Sequence, residues 1–451
     1  MSESKKKLSQ IKSSVLSRSL SLAKIGINAG IKYASTKVTN TPIESFINSQ
    51  TVQLAKEFGE LKGSLMKAGQ MLSMYGEHFL PAEANHALKA LQSDSTPFEW
   101  YVMEKHLRTY LDDNLIKELD INPESIGTAS MGQVHLATVK SSGQKIALKI
   151  QYPDVDKAID SDVAALKKIL SVSKILPSGI DLTKVFDEIK SMMRQELDYT
   201  LEAQKTQRYF ELLKEDNRYI VPEVHARYSN KRVLATTYID GLKADHNLVQ
   251  AISEARRNRL AENFIELYFK EIFDWNYVQT DPHLGNYKIQ LDSSGKGQDR
   301  IVLLDFGATT EFSDNFIGHY RKMIKGAIIF DRPLFFEAAQ NMGFINDQDT
   351  EEYKKIFEDF CFQTVEPFWS PSDPRNVDNK VAADGTYDWK QNDLPSRVVK
   401  TALQFRNFAL RPPPQDMLFL DRKTGGVFIF LSVLRARINA RKIIDPFLEQ
   451  V

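Results

Sequence analysis

Two short loops, close together in sequence, restrict most tightly what this chain can fold into. In Gln279-Thr280-Asp281-Pro282-His283-Leu284-Gly285-Asn286 an acid stands five positions before an asparagine. Leu304-Asp305-Phe306-Gly307 then supplies a second acid in a DFG tripeptide, and the apolar run before it reads as a buried strand. Either loop alone is ordinary turn chemistry, because Asp-Pro and Gly-Asn favour turns wherever they occur. In this order they are the parts that phosphoryl transfer from ATP needs. One aspartate orients the attacking oxygen, an amide oxygen holds one magnesium ion, and a second carboxylate bridges magnesium to the phosphates. The pattern is that of a kinase catalytic loop followed by a metal loop, except that Gln279-Thr280 stands where His-Arg is usual.

At 451 residues the chain is long for one core and fits two or three packed units. Its formal net charge of zero argues against a nucleic-acid binder relying on bulk attraction, so no nucleic-acid partner is expected. Cys361 is the one cysteine, which excludes an intramolecular disulfide or a cysteine zinc site and suits a reducing compartment. The eight histidines show no metal-binding spacing. No apolar run approaches the roughly 18 residues of a membrane-spanning helix, and no secretory signal is expected from the basic start.

Residues 1–40 are unlike the rest. Eight basic residues, from Lys5 to Lys37, face only Glu3, while Leu16, Leu20, Ala23, Ile27, Ile31 and Ala34 recur at helical spacing. Three expectations stay open: a helix on an anionic phospholipid surface, a tail or helix packed on the folded body, and a mitochondrial presequence, for which arginines are few. Residues 41–120 are helical in pattern and contain Lys67-Ala68-Gly69-Gln70, with Lys67 and Gln70 on one face. Gly69 between them costs helix stability, about 1 kcal/mol against alanine, and suggests close backbone approach.

A strand–turn–strand pattern follows, with small residues Gly127, Thr128, Ala129 and Ser130 where a turn must pass close to something. Ser141–Gln144 reads as a hairpin turn, and residues 145–151 alternate, with Ile146, Leu148 and Ile150 on one face and Lys149 on the other. A strand lysine after a small-residue hairpin is how kinases bring a cation to the α- and β-phosphates. One long helix is expected over 182–215, where Asp198 and Glu202 share a face and Glu196 is rotated away; Glu202 therefore suits an ion pair with Lys149. Thr237, Tyr238 and Ile239 fall where a hinge would offer backbone groups to an adenine ring. Residues 258–273 read as a helix leading into the catalytic loop, 370–396 as an exposed loop, and the end of the chain as an interior helix pair.

Together these residues resemble the atypical kinase-like ABC1 family, also called UbiB, ADCK or Coq8-like. The matching pieces are KAGQ at 67–70 for the KxGQ signature, GTAS at 127–130 with MGQVH for the alanine-rich loop, and ALKIQYP at 147–153. ELD at 196–198 matches the ExD signature, and QTDPHLGN, LLDFG, EPF at 366–368 and RPPP at 411–414 complete the set. The resemblance implies an α+β, two-lobed protein-kinase-like fold: a helical KxGQ extension over 41–120, an N-lobe over 121–240 with the ExD helix, and a C-lobe over 241–451. It implies a lid of Lys67, Gly69, Gln70, Glu196 and Asp198, with Lys67 paired to Glu196 where a protein kinase seats its peptide. Gly127 and Thr128 depart from the family's alanines; glycine loosens the backbone and threonine adds bulk and a hydroxyl.

The expected function is an Mg-ATP-binding ATPase supporting ubiquinone or prenyl-lipid biosynthesis at a membrane surface. Its partners would be ATP, a prenyl lipid or quinone precursor, anionic phospholipid and the enzymes of quinone biosynthesis. Lys149 holds the α/β-phosphates and Glu202 holds Lys149. Gly127, Thr128, Ala129, Ser130, Thr237, Tyr238 and Ile239 surround the nucleotide, Asn286 and Asp305 ligate magnesium, and Asp281 orients the attacking oxygen. The expected place is the cytoplasm or the inner-membrane periphery, with the matrix face of the mitochondrial inner membrane as the alternative. A true protein or small-molecule kinase shares every catalytic residue; a non-catalytic, nucleotide-gated lipid-binding or assembly factor is the other rival.

Overall fold

The computed structural model describes residues 64, 67–72, 97–129, 131–172, 183–294, 297–408 and 415–449. The expectations for residues 1–40, for most of the helical extension, for Ser130 and for the proline run 411–414 lie outside the described residues.

The elements in chain order are α1 (Trp100–Tyr110), α2 (Asp113–Lys117), β1 (Leu119–Ala129), β2 (Gly132–Val139), β3 (Lys145–Gln151), α3 (Val155–Val172), α4 (Thr183–Glu196), α5 (Tyr199–Leu213), β4 (Tyr219–Ile220) and β5 (Val233–Thr237). Then come α6 (Asn247–Ala251), α7 (Glu254–Phe269), β6 (Tyr277–Gln279), β7 (Tyr287–Gln290), β8 (Arg300–Leu303) and β9 (Thr309–Glu311). The last are α8 (Asp314–Ile329), α9 (Arg332–Asn341), α10 (Glu351–Thr364), β10 (Tyr387–Asp388), α11 (Leu394–Ala402), α12 (Gln415–Val433), β11 (Arg437–Ile438) and α13 (Ala440–Leu448). The chain forms two compact units, one ending at Arg208 but also holding Pro222–Tyr238, the other holding Tyr209–Val221 and everything from Ile239 onward.

The first unit is built on an antiparallel sheet in the order β1-β2-β3-β5. Ile146, Leu148 and Ile150 are fully buried along β3 while Lys149 alternates to the other face, as the period-two pattern dictates. The β2–β3 turn closes on Gly143 at φ 72°, a left-handed conformation that glycine adopts freely. At the start of β2, Gly132 lies opposite Gln151. A Cβ there would stand 2.6 Å from the Ile150 carbonyl oxygen and 2.7 Å from the Tyr199 hydroxyl, so close packing demands glycine.

The single helix expected over 182–215 is two helices, α4 and α5, broken at Leu197-Asp198. Helical bonding stops because the Leu197 carbonyl accepts instead from the Gln151 side chain. Asp198 then caps α5 through a hydrogen bond from the Thr200 amide, 3.1 Å, as short acids do at helix starts. Asp198 stays one turn before Glu202, whose amide donates to the Asp198 carbonyl at 3.4 Å, whereas Glu196 ends the helix before the break.

In the second unit α7 runs into a π-helical turn, Lys270–Asp274, before β6. Its core is aromatic: Phe264 stacks on Phe430 at 4.0 Å, with Tyr287 edge-on to both. The segment 370–396 is largely irregular and exposed, as expected, but it is anchored by buried residues. Val381, Tyr387 and Trp389 are buried, β10 pairs with β11, and Asn376 exchanges hydrogen bonds with the Val381 backbone. Polar turn chemistry at its surface conceals an aromatic anchor underneath. The expected terminal helix pair is also corrected: α12 ends before Arg435, at φ 55°, and Arg437–Ile438 is a strand. No helix among the described residues is long and apolar enough to cross a membrane.

Candidate active site

In the first unit the fixed cation is Lys149. Its Nζ lies 2.6 Å from Glu202 Oε1, with 16% and 6% of the two side chains exposed. The ammonium also sits 5.1 Å from the centre of the Tyr199 ring, a cation–π distance. Glu202 reaches the lysine because the break at Leu197-Asp198 starts a new helix there. Gln151, fully buried, makes that break: its amide spans the Leu197 carbonyl and, at 3.3 Å, the Lys231 carbonyl. Arg232 donates to its oxygen at 2.8 Å.

Two of the residues expected to form a lid make a second pair in the same unit. Lys67 Nζ lies 2.7 Å from Glu196 Oε1, and Ser64 donates to buried Asp162 on α3. Ala68 and Gly69 are buried beside Lys67, and Gln70 is half-buried. Asp198 does not join them. Its carboxylate faces Lys231 at 3.4 Å. Burial would raise its pKa, but the Thr200 hydroxyl and the Lys231 ammonium outweigh that and hold it below the usual carboxylate range.

Gly127 and Ala129 lie in β1, and Thr128 pairs with Gln133. Nothing stands within 4 Å of a Cβ placed on Gly127, so its glycine meets no packing demand. The Gln133 and His135 side chains of the MGQVH stretch point into structure. Gln133 accepts from the Phe98 amide at 2.8 Å and His135 contacts the Asn122 carbonyl at 2.9 Å. At the expected hinge the Thr237 amide donates to the Glu223 carbonyl and the Tyr238 amide to the Lys145 carbonyl.

In the second unit the two acidic loops are tied at both ends. The Asp281–Asn286 loop joins β6 to β7 and the Asp305 loop joins β8 to β9; β6 pairs with β9 and β7 with β8. Gln279 binds the loops directly, its amide nitrogen donating to the Asp281 carbonyl at 2.8 Å and the Asp305 carbonyl at 3.2 Å. Thr280, at the position of the missing arginine, donates through its hydroxyl to the Ala308 carbonyl. Asn286 Nδ2 donates to the Asp281 carbonyl and to its Oδ2, at 3.0 and 3.2 Å. Asp305 Oδ1 accepts from the Gly307 amide at 2.9 Å, and Phe306 is buried with its ring centre 4.4 Å from that of Tyr209.

Beneath the loops lies a polar network that the motifs do not announce. Glu271, in the π-helical turn, meets Lys423 of α12 at 2.7 Å, both almost wholly buried. Tyr209 donates to Glu271 and Tyr287 donates to Gln279, at 2.9 and 2.8 Å. Burial pushes the Glu271 carboxyl up, with Lys423 opposing, and burial lifts both tyrosines well above their ordinary values. Next to Lys423, Arg422 Nη2 stands 2.5 Å from Asp281 Oδ1. The one available signal was Asp421-Arg422-Lys423 interrupting an otherwise apolar helix, since buried charges occur where they are paired.

A lysine–glutamate pair on a sheet strand and a helix, with a catalytic loop and a DFG loop, defines a kinase-like protein. Residues 90–338 match the family described as the ABC1 atypical kinase-like domain, and the chain belongs to that family. It is 30% identical over 426 residues to a protein of Saccharomyces cerevisiae named atypical kinase COQ8, mitochondrial, covering 93% of this chain and 81% of the relative. It is 26% identical to the probable serine/threonine-protein kinase abkA of Dictyostelium discoideum, covering 98% and 80%. Against atypical kinase COQ8B, mitochondrial, of Danio rerio it is 27% identical and spans 61% of that protein's length. A solved structure of Rv3197 with erythromycin, from Mycobacterium tuberculosis, has the same fold at a TM-score of 0.59 and 23% identity, covering 91% of this chain and 97% of that one.

Proposed function

We propose that the chain binds Mg-ATP and transfers the γ-phosphoryl group to water, as an ATPase serving ubiquinone or other prenyl-lipid biosynthesis at an anionic membrane surface. The observation that carries it is the pair of acidic loops held together by Gln279, because phosphoryl transfer is chiefly a matter of positioned charge. Lys149, fixed by Glu202, holds the α- and β-phosphates. Gly127, Thr128, Ala129 and Ser130 line the phosphates, and Thr237–Ile239 the base.

Asn286 and Asp305 are the magnesium ligands. An amide oxygen and a carboxylate are the hard donors magnesium accepts, in ones and twos beside substrate phosphates. The Asn286 nitrogen is committed to Asp281, which leaves its oxygen for the ion. Bound there, magnesium supplies positive charge to the phosphate oxygens. Asp281 orients a water whose oxygen bonds to the γ-phosphorus as the β–γ bridging bond breaks. ADP departs with that electron pair, and the water's proton passes to Asp281. Lys67, Gly69, Gln70 and Glu196 act as a lid against larger acceptors, and Asp198 caps the helix that carries Glu202.

The segment 1–40 is the anionic-surface anchor in this proposal, with quinone-biosynthesis enzymes as partners. The mitochondrial names of two relatives favour the mitochondrial alternative for its location. One observation favours the non-catalytic, nucleotide-gated rival: both carboxylate oxygens of Asp281 already accept hydrogen bonds. The test is Asp305→Asn. Thermal stabilisation by Mg-ADP should disappear, and phosphate release with it. Unchanged stabilisation would refute the metal assignment, and intact binding by a wild type that releases no phosphate would select the rival. Loss of stimulation by cardiolipin-containing liposomes in a chain starting at Thr41 would assign the anchor.

A further inference from the structure

Asp281 is restrained from two directions that differ in kind. Asn286, from its own loop, donates to Oδ2 at 3.2 Å. Arg422, from α12 and distant in sequence, donates to Oδ1 at 2.5 Å. The guanidinium is a quarter exposed and the aspartate a fifth, so the pair is shielded enough to fix a rotamer and open enough to admit water. Charge-assisted hydrogen bonds of this length are among the stronger contacts a carboxylate makes.

Three features show that α12 is built to make this contact. Lys423, the next residue, is anchored on Glu271 and lies 3.5 Å from both the Gln279 amide oxygen and the Tyr287 hydroxyl. Gly426, one turn along, is pressed on the loop itself, because a Cβ there would collide with the Pro282 ring. Thr424 closes the set, its hydroxyl within 2.6 Å of Tyr268 on α7. The helix therefore touches Asp281 and Pro282 of the loop, and Gln279 at the end of β6, from within little more than one helical turn.

We infer that Arg422 is a positioning residue for phosphoryl transfer, holding the Asp281 carboxylate in the rotamer that orients the attacking water. It is the residue through which α12 sets the reactivity of the loop. The inference rests on the proposed ATPase function. Thr280, just before the aspartate, is turned to the Ala308 carbonyl, and the charge on Asp281 is met from α12 instead. With Oδ1 in the ion pair, only Oδ2, shared with Asn286, is left to accept a proton.

The experiment measures phosphate release and Mg-ADP stabilisation in the full chain and in Arg422→Ala, Arg422→Lys, Asp281→Asn and the Arg422→Ala/Asp281→Asn double variant. Arg422→Ala should lower kcat about 10- to 100-fold, the range a misplaced catalytic group costs, with KM for ATP and the Mg-ADP shift unchanged. Arg422→Lys should recover part of the loss. The double variant should be no slower than Asp281→Asn, because a residue acting through another adds nothing once that other is gone. Unchanged kcat in Arg422→Ala, or losses that multiply in the double variant, would overturn the inference; a lost Mg-ADP shift would reduce Arg422 to a structural role and overturn it too. A wild type without phosphate release would overturn the ATPase proposal on its own. The Arg422–Asp281 link is then read from the thermal midpoints of the same proteins, where additive single and double shifts would refute it.

Discussion

Glu271 and Lys423 meet at 2.7 Å with 2% and 3% of their side chains exposed. A buried ion pair adds little over a well-packed apolar pair, yet removing one partner strands the other charge. Lys423→Met should therefore destabilise the protein by about 3–5 kcal/mol, and Lys423→Met with Glu271→Gln should recover much of it. Urea unfolding of the three proteins checks this; equal losses in the single and double variants would show that the pair is not coupled.

The adjacent glycines of α12 should respond in opposite ways. Gly426→Ala forces the helix off Pro282, at a cost of about 1–3 kcal/mol for overpacking, and slows phosphate release with it. Gly425 is exposed and a Cβ there meets nothing within 4 Å, so Gly425→Ala should stabilise by about 0.5–1 kcal/mol through helix propensity. Thermal melts of both variants decide it.

A second glycine contrast lies in the first unit. Gly132→Ala pushes on the Ile150 carbonyl and the Tyr199 hydroxyl. It should cost about 1–3 kcal/mol and weaken Mg-ADP binding by moving the ring beneath Lys149. Gly127→Ala, with open space around its Cβ, should fold normally. Titration with Mg-ADP followed by thermal shift separates the two; equal losses in both would contradict the packing argument.

Acid should unfold the protein partly through Arg218. This residue bonds Asp216 at 2.7 Å and Glu266 at 2.7 Å, and its guanidinium is the largest cause holding both carboxyls below their ordinary values. Carboxyls depressed in the folded state stabilise it fully above their unfolded pKa values, about 3.9 and 4.3. That stabilisation is lost as pH falls through the lower folded values. Arg218→Met should lower stability at pH 7 by about 1.5–3 kcal/mol and flatten the decline below pH 5. Thermal midpoints across pH 3–7 test it, and an unchanged acid slope would remove Arg218 as its source.

Much of the candidate site was legible because its chemistry is local. Asp281 to Asn286 is one loop, Asp305 sits in a tripeptide, and Lys149 announces its face by strand alternation. The Lys149–Glu202 pairing also followed from helix phase, although the phase was drawn on a helix that is broken. Gln151, a residue that reads as an ordinary strand end, interrupts it by donating to the distant Leu197 and Lys231 carbonyls while it accepts from the Arg232 side chain. The 370–396 segment was legible only in part for a related reason: its prolines, glycines and acids mark turns correctly, whereas the burial of Tyr387 and Trp389 depends on which surface the turns fold against.

The sequence by itself determined the order of the chemical groups, the strand that carries the lysine and the family to which the chain belongs, since spacing along a strand or within a loop is fixed by backbone geometry. Only the tertiary structure decided what holds those groups. Gln279 tying two loops, Arg422 on Asp281 and Lys423 on Glu271 join residues far apart in the chain. Such partnerships follow from where folded elements come to rest and leave no periodic trace among the amino acids that make them.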